Sequence, residues 1–356
     1  MIITYKYRVK DKHIKELNRQ ARAVNFVWNY CNETQIHAVK SGRRWLYRFD
    51  LCTLTSGTSK KLGISSHTIQ EICRYYDKSK LIHNKPWLKF RGKKSLGWIP
   101  FTSQNLMFKN KKFHFYGKKF EVFLSRIPPT TKFRGGSFNQ DPKGHWYLNI
   151  WVDIFEKQNA ATQQVGIDLG IKSLATLSTG QEIENPRYYA NLEQKLAKAN
   201  RANKKKQIKN INTKIKNRRK DFLHKQSKKL TNEFGLIFIG DVSSSKLAKT
   251  KLSKSILDSG WSDFKTMLQY KSIMNGGKMI EVSEAYTSQI CSNCLEIPDS
   301  RPTGIAGLGI REWICSNCDE KHNRDVNAAK NILRIGQNTL AGGIRKIWKL
   351  SNRVLD

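Results

Sequence analysis

Val165-Gly-Ile-Asp-Leu169, with Gly170 behind it, decides how the second half of this chain is read. It is a short apolar strand carrying one acid near its end. The glycine gives a tight turn into Leu174-Ala-Thr-Leu-Ser178, so the two segments predict a β-hairpin. Asp168 then sits at the rim of a core with no evident partner, which is a poor place for a carboxylate that serves stability alone. Outward from the hairpin, residues 190–231 form a long polar helical run. Leu236-Ile-Phe-Ile239 is continuous and apolar, as a buried parallel strand is, and Lys278-Met-Ile-Glu-Val282 is a second short strand. Between them Ile256, Leu257, Trp261, Phe264, Met267 and Leu268 share one helical face. From about Arg324 a last helix aligns Val326, Ala329, Ile332 and Leu333. Strands alternating with helices predict an α/β domain.

Asp325 opens that last helix. In a first turn an acid is stabilised by the helix dipole, so by itself it reads as a cap. Together with Asp168 it fits a site where carboxylates hold two Mg²⁺ ions for phosphodiester hydrolysis. Such a site wants a third acid, and two are available: Asp241, directly after Gly240, and Glu284, just past the 278–282 strand. If the two strands are neighbours, their ends lie about 4.8 Å apart, and either acid reaches nearly the same point. Glu281 would lie within its strand and is the weaker choice.

Seven cysteines occur, four of them in two close pairs. Cys291-Ser-Asn-Cys294 and Cys315-Ser-Asn-Cys318 are C-x2-C knuckles with 20 residues between them. Four thiolates close a tetrahedral shell, which predicts a structural Zn²⁺ site, with an iron–sulfur cluster or two redox pairs as the alternatives. The intervening loop, rich in glycine and proline, could not form a core without the metal. His322 lies close by and reads as a neighbour of a filled shell. Cys31, Cys52 and Cys73 stand singly and read as small buried hydrophobes in a chain suited to a reducing compartment.

The charge points to the partner. The 356 residues hold 65 Lys and Arg against 28 Asp and Glu, a net charge of +37, with a pI near 10.0. Hydrophobic residues at 38% allow real cores, so a disulfide miniprotein, a collagen-like chain and a wholly disordered tail are excluded. Self-repulsion of this size argues against an ordinary metabolic enzyme and for a polyanion, nucleic acid, as partner. The charge concentrates between Lys195 and Lys229, where 15 Lys and Arg face one acid, Asp221. A solvated helix normally mixes signs, so this hairpin-like run predicts contact with phosphates. The chain's start lacks a signal peptide's apolar run, and no 18-residue apolar stretch suits a membrane span.

Towards the start, residues 2–9 read as a strand, about 11–41 as a helix and the stretch after Ser65-Ser66 as another. From about Asn84 to Asp153 short alternating segments such as His145-Trp-Tyr-Leu-Asn-Ile-Trp-Val152 suggest a small β-barrel whose first strand is 2–9. Trp87-Leu-Lys-Phe-Arg-Gly92 and Arg43-Arg-Trp-Leu-Tyr-Arg48 interleave rings with cations. Rings so placed suit base stacking and barrel packing equally, and define no site.

Three segments resemble one family. Gly166-Ile-Asp-Leu-Gly-Ile-Lys172, Ala285-Tyr-Thr-Ser-Gln-Ile-Cys-Ser-Asn-Cys294 and Arg324-Asp-Val-Asn-Ala-Ala-Lys-Asn-Ile332 are similar, in that order, to the first RuvC motif, the zinc-finger approach and the third RuvC motif of TnpB. TnpB is the RNA-guided DNA endonuclease of insertion sequences, related to Fanzor proteins and type V CRISPR effectors. The resemblance implies a multidomain α/β plus β-barrel architecture. A wedge-like barrel would take 1–10 and 84–157, with a helical recognition domain at 11–83 and a linker at 158–164. An RNase H-like RuvC nuclease would take 165–285 and 321–335, including a basic hairpin at 186–231. A zinc finger would fill 286–320 and a tail 336–356. It also implies a guide RNA derived from the transposon end, double-stranded target DNA beside a short flanking motif, Mg²⁺ and Zn²⁺, one protein per RNA, and a cytoplasmic, nucleoid-associated place. RNA–DNA pairing would read sequence while the protein reads shape.

One departure matters. Where most TnpB proteins carry a catalytic Glu after the second core strand, this chain has Gly240, and Glu284 stands where typical members have Pro. Fanzors and some TnpB proteins have a relocated catalytic glutamate. By resemblance the ligands are therefore Asp168, Glu284 and Asp325. The alternative is a nuclease-inactive, repressor-like RNA-guided DNA-binding relative. Asn323, where Asp is common, is not one of the family's ligands.

Overall fold

A computed structural model describes residues 2–128, 133–153, 161–242, 253–303 and 306–351. The chain divides into two compact units, residues 1–154 and 155–356.

In the first unit β1 (Ile2–Val9) leads into four helices, α1 (Ile14–Lys40), α2 (Arg48–Leu54), α3 (Thr58–Leu62) and α4 (Ser66–Ile82). Seven strands follow: β2 (Trp98–Thr102), β3 (Leu106–Lys109), β4 (Lys112–Phe115), β5 (Lys118–Phe120), β6 (Val122–Phe123), β7 (Gly135–Gln140) and β8 (Trp146–Asp153). The helices are thus inserted between β1 and the other strands. Helix α1 buries Leu17, Ala21, Val24, Val27 and Cys31, a stripe at spacings of three and four. Strand β1 turns Tyr5, Tyr7 and Val9 inward, at the period of two. An antiparallel sheet of order β2-β7-β8-β1-β6 and a three-stranded sheet β3-β4-β5 share one core. Phe101 of the first meets Phe115 of the second, and Phe138 meets Phe115 and Phe120, with ring centroids 5.2–5.4 Å apart.

The second unit opens with β9 (Gln164–Leu169), β10 (Ser173–Leu177) and β11 (Glu182–Glu184). Then come α5 (Ala190–Arg201), α6 (Lys205–Glu233), β12 (Leu236–Gly240), α7 (Ser253–Ser259), α8 (Trp261–Met274) and β13 (Lys278–Val282). A small pair, β14 (Glu312–Ile314) and β15 (Lys321–Asn323), precedes α9 (Arg324–Ser351). The main sheet has the order β11-β10-β9-β12-β13. The hairpin of β9 and β10 is antiparallel, whereas β9, β12 and β13 run parallel. Ile167, Ile239 and Glu281 stand side by side in register.

Glycine governs how closely α9 lies on this sheet. A Cβ on Gly166 would stand 2.1 Å from Ala329 O and 2.6 Å from Leu333 N, and one on Gly336 would stand 2.0 Å from the Phe238 ring. The first glycine of the opening motif thus makes room for the helix that carries Asp325.

Three local readings shift. Gln164, expected in a linker at 158–164, opens β9, while 158–160 fall outside the described residues. The helix expected across 256–268 is broken at Gly260, whose φ of +69° is left-handed, giving α7 and α8. Helix α9 continues beyond 335 to Ser351, through much of the expected tail.

Candidate functional site

The parallel strands end together, and the sequence places acids at those ends. Asp168 is the fifth residue of β9 and half-buried. Gly240 ends β12 and pairs with Val282 at the end of β13. Glu284 lies two residues past β13 and folds back over Gly240. A Cβ on Gly240 would be 3.0 Å from Glu284 Oε2 and 3.3 Å from Glu284 Cβ. Asp325 stands in the first turn of α9, where Asn323 Oδ1 accepts the N–H groups of Asp325 and Val326 at 3.0 and 3.1 Å. The cap expected of Asp325 is therefore supplied by Asn323, which leaves the Asp325 carboxylate free for another partner.

Electrostatics couple these groups. Burial pushes the Asp168 carboxyl up to about 7, and the charges of Asp325 and Glu284 add to that, against Arg324 and Arg311. Burial also raises Glu284, with Asp241 adding to it and Lys265 opposing. Asp241, the other candidate, is exposed and accepts the Glu284 backbone N–H at 3.3 Å. Glu281 pairs with Lys265 at 2.8 Å and stays half in solvent. Asp168 thus feels the charges of two other acids, and Glu284 that of Asp241.

No pattern in the chain singles out Arg311. It lies in the loop before β14, far in sequence from the strands, and its guanidinium holds both oxygens of Asp325 at 2.6 and 2.9 Å. Its carbonyl accepts the Arg324 N–H at 2.7 Å. One cation is thereby fixed beside the acid cluster.

The four knuckle cysteines form the second centre. Their sulfurs lie within 4.8 Å of one another, with Cys291–Cys318 at 3.6 Å and Cys294–Cys315 at 3.7 Å. A tetrahedron with Zn–S bonds of about 2.3 Å has edges of about 3.8 Å, so the residues fit that ion. Backbone N–H groups of Cys294 and Asn317 point at Cys291 and Cys315 sulfurs, each at 3.4 Å, as thiolates need. His322 is buried, stacks on Trp313 and brings Nε2 to 3.0 Å from Cys291 Sγ. In the first unit Cys31 and Cys73 are buried with sulfurs 4.0 Å apart, and Cys52 is half-buried.

Helices α5 and α6 pack together with Leu196, Ala199 and Ile215 buried, while Leu223 and Leu230 of α6 join the core of the main sheet. Lys204, Lys205, Lys206, Lys214, Lys216 and Arg218 are all exposed. Among the described residues no helix is long and apolar enough to cross a membrane.

Two family models match this chain. Residues 140–251 match the OrfB family of IS605, described as "Probable transposase", and residues 261–332 match the Cas12f1-like TNB domain. A Streptomyces pristinaespiralis protein named "Putative RNA-guided DNA endonuclease" is 36% identical over 213 residues, 56% of this chain and 52% of that protein. The Escherichia coli K12 protein "Putative RNA-guided DNA endonuclease InsQ" is 30% identical over 230 residues, covering 56% of each. Cas12f1 of Sulfoacidibacillus thermotolerans, a CRISPR-associated endodeoxyribonuclease, is 29% identical over 54% of this chain and 51% of its own. The chain thus spans about half the length of the curated relatives it matches. Among solved structures, the Cas12f1-sgRNA-target DNA complex aligns with 94% of this chain and 99% of that one, at 18% identity and a TM-score of 0.39. Two segments of this chain are thus similar to the IS605 OrfB family and to the Cas12f1-like TNB domain, and curated proteins similar to it are named RNA-guided DNA endonucleases.

Proposed function

We propose that this protein is an RNA-guided DNA endonuclease of the RuvC type that cuts target DNA next to a short flanking motif. What supports the reading is Asp168 near the end of β9, Glu284 folded over the end of β12, and the charges of Asp325 and Glu284 acting on Asp168. Ligand sites of open α/β sheets lie at that end of the strands. Asp168, Glu284 and Asp325 would hold Mg²⁺, which when bound supplies an activated water and neutralises charge at the leaving oxygen. Arg311, already beside Asp325, offers a fixed positive charge to the phosphate under attack. The exposed lysines of α5 and α6 bind the phosphates of a guide RNA and its DNA partner. The four cysteines hold Zn²⁺ as a structural ion.

The wedge-like barrel and inserted helices of the first unit would bind the guide RNA and the flanking motif. The RNA would come from the transposon end, and the complex would work on cytoplasmic, nucleoid-bound DNA. The binding-only reading is disfavoured by Glu284, which fills the space left by the missing acid at 240.

The test uses the protein purified with the RNA that accompanies it, a matched DNA duplex and Mg²⁺. The parent cuts, and Glu284→Ala binds the duplex without cutting. A parent that binds but never cuts overturns the nuclease reading in favour of a repressor-like protein. Cutting by Glu284→Ala at the parental rate removes Glu284 from the site.

A further inference from the structure

Asn327 and Asn331 lie one turn apart on α9, 1% and 0% exposed. Both aim their side-chain amides at the same two backbone carbonyls. Asn327 Nδ2 donates to Ile290 O at 2.7 Å and Thr287 O at 3.3 Å. Asn331 Nδ2 donates to Ile290 O at 2.8 Å and Thr287 O at 2.9 Å. Asn327 Oδ1 also accepts the N–H of Ser292, inside the first cysteine knuckle, at 2.8 Å. Residues 287–292 form no helix or strand, so these side chains do for the turn what a ladder does for a strand.

The turn reaches both acids. Thr287 donates its N–H and its Oγ1–H to Glu284 O, at 3.2 and 2.8 Å. Glu284 is therefore fastened to a turn that is itself fastened to α9, two residues downstream of Asp325. An acid at position 240 would be aimed by its strand. An acid at 284 stands on irregular backbone and needs another support.

We propose that Asn327 and Asn331 are positioning residues that lock the 287–292 turn onto α9 and thereby fix Glu284 against Asp325. The proposal rests on reading Asp168, Glu284 and Asp325 as the divalent-ion site. It also ties the first cysteine knuckle to the clamp, because Ser292 within it donates its N–H to Asn327 Oδ1. The bland reading is that two buried asparagines merely satisfy two loop carbonyls, which would affect stability and nothing else.

The two separate by measuring Mn²⁺ affinity by electron paramagnetic resonance, and the Mg²⁺ dependence of single-turnover cleavage, on the full chain with its accompanying RNA. Asn331→Leu keeps the volume and deletes the donors. It is expected to weaken Mn²⁺ binding about 10–100-fold and to shift the cleavage curve to higher Mg²⁺, with one zinc retained. Thr287→Val, which removes only the hydroxyl bond to Glu284 O, is expected to move both readouts in the same direction by less. It serves if Asn331→Leu does not fold. Parental Mn²⁺ affinity and Mg²⁺ dependence in a folded variant, whatever its melting temperature, overturn the proposal. Glu284→Ala is the reference. If it too leaves Mn²⁺ affinity unchanged, the acid site itself is misassigned. If it weakens binding while the clamp variants do not, the positioning role alone fails.

Discussion

The Glu284 carboxylate occupies the space that a side chain on Gly240 would need, with Oε2 3.0 Å from the place of a Gly240 Cβ. Glycine at 240 and glutamate at 284 are therefore one feature in two places. Restoring an acid at 240 without removing 284 would crowd two carboxylates. Glu284→Ala is expected to lower single-turnover cleavage by at least about a hundredfold. Gly240→Glu added to it should recover part of that activity, while Gly240→Glu alone should reduce activity. Cleavage of an end-labelled duplex in Mg²⁺ measures all three, and no recovery in the double variant would contradict the exchange.

Asp168 is kept among other acids at a cost to the metal-free fold, since its burial and the charges of Asp325 and Glu284 all disfavour its ionised form. Asp168→Asn removes that charge at nearly constant shape. The metal-free variant should melt roughly 2–4 °C above the parent, for about 1 kcal/mol relieved in a unit of this size. Mg²⁺ should raise the parent's melting temperature and leave the variant's nearly unchanged. Differential scanning calorimetry with and without Mg²⁺ decides it.

Arg311 stands on Asp325 at 2.6 and 2.9 Å. If its charge serves the reacting phosphate, Arg311→Ala should slow single-turnover cleavage by about a hundred- to a thousandfold, with RNA and DNA binding intact. Arg311→Lys should recover part of the rate, because a single nitrogen, Nη1, makes both contacts to Asp325 and an ammonium can take that place. Filter binding beside the cleavage assay separates impaired chemistry from impaired substrate binding.

The first cysteine knuckle is tied to the helix that carries Asp325, through the Ser292 N–H on Asn327 Oδ1. Cys315→Ser should lower the zinc content measured by atomic emission, reduce the melting temperature and abolish cleavage together, since a structural zinc contributes folding energy directly. Full zinc occupancy in that variant would argue against four thiolate ligands.

Lys204, Lys205 and Lys206 cluster at the junction of α5 and α6 and are exposed. Changing all three to Gln should flatten the salt dependence of RNA binding by about 0.7 to 0.9 for each phosphate no longer neutralised. A slope equal to the parent's across a titration from low to moderate salt would make them a solvated surface.

Much of this protein is local and so legible in the chain itself. Apolar strands of four or five residues, the two C-x2-C pairs, the run of 15 basic residues and the acid in the 165–169 strand each depend on neighbours a few positions away. Spacing carries that information, because periodicity and turn chemistry act over one or two turns of chain. The partnership of Glu284 with Gly240 could be narrowed to two acids but not closed, since it depends on which strands lie side by side and in what register. Arg311 left no pattern, and although Gly166, Asn327 and Asn331 stand in quoted segments, nothing there told that Gly166 lies beneath Ala329 or that the asparagines clamp the 287–292 turn. Each contact joins residues whose separation along the chain does not fix their distance in space. Only the packing of α9 against the sheet and the cysteine module, where buried polar groups must find partners, brings them together.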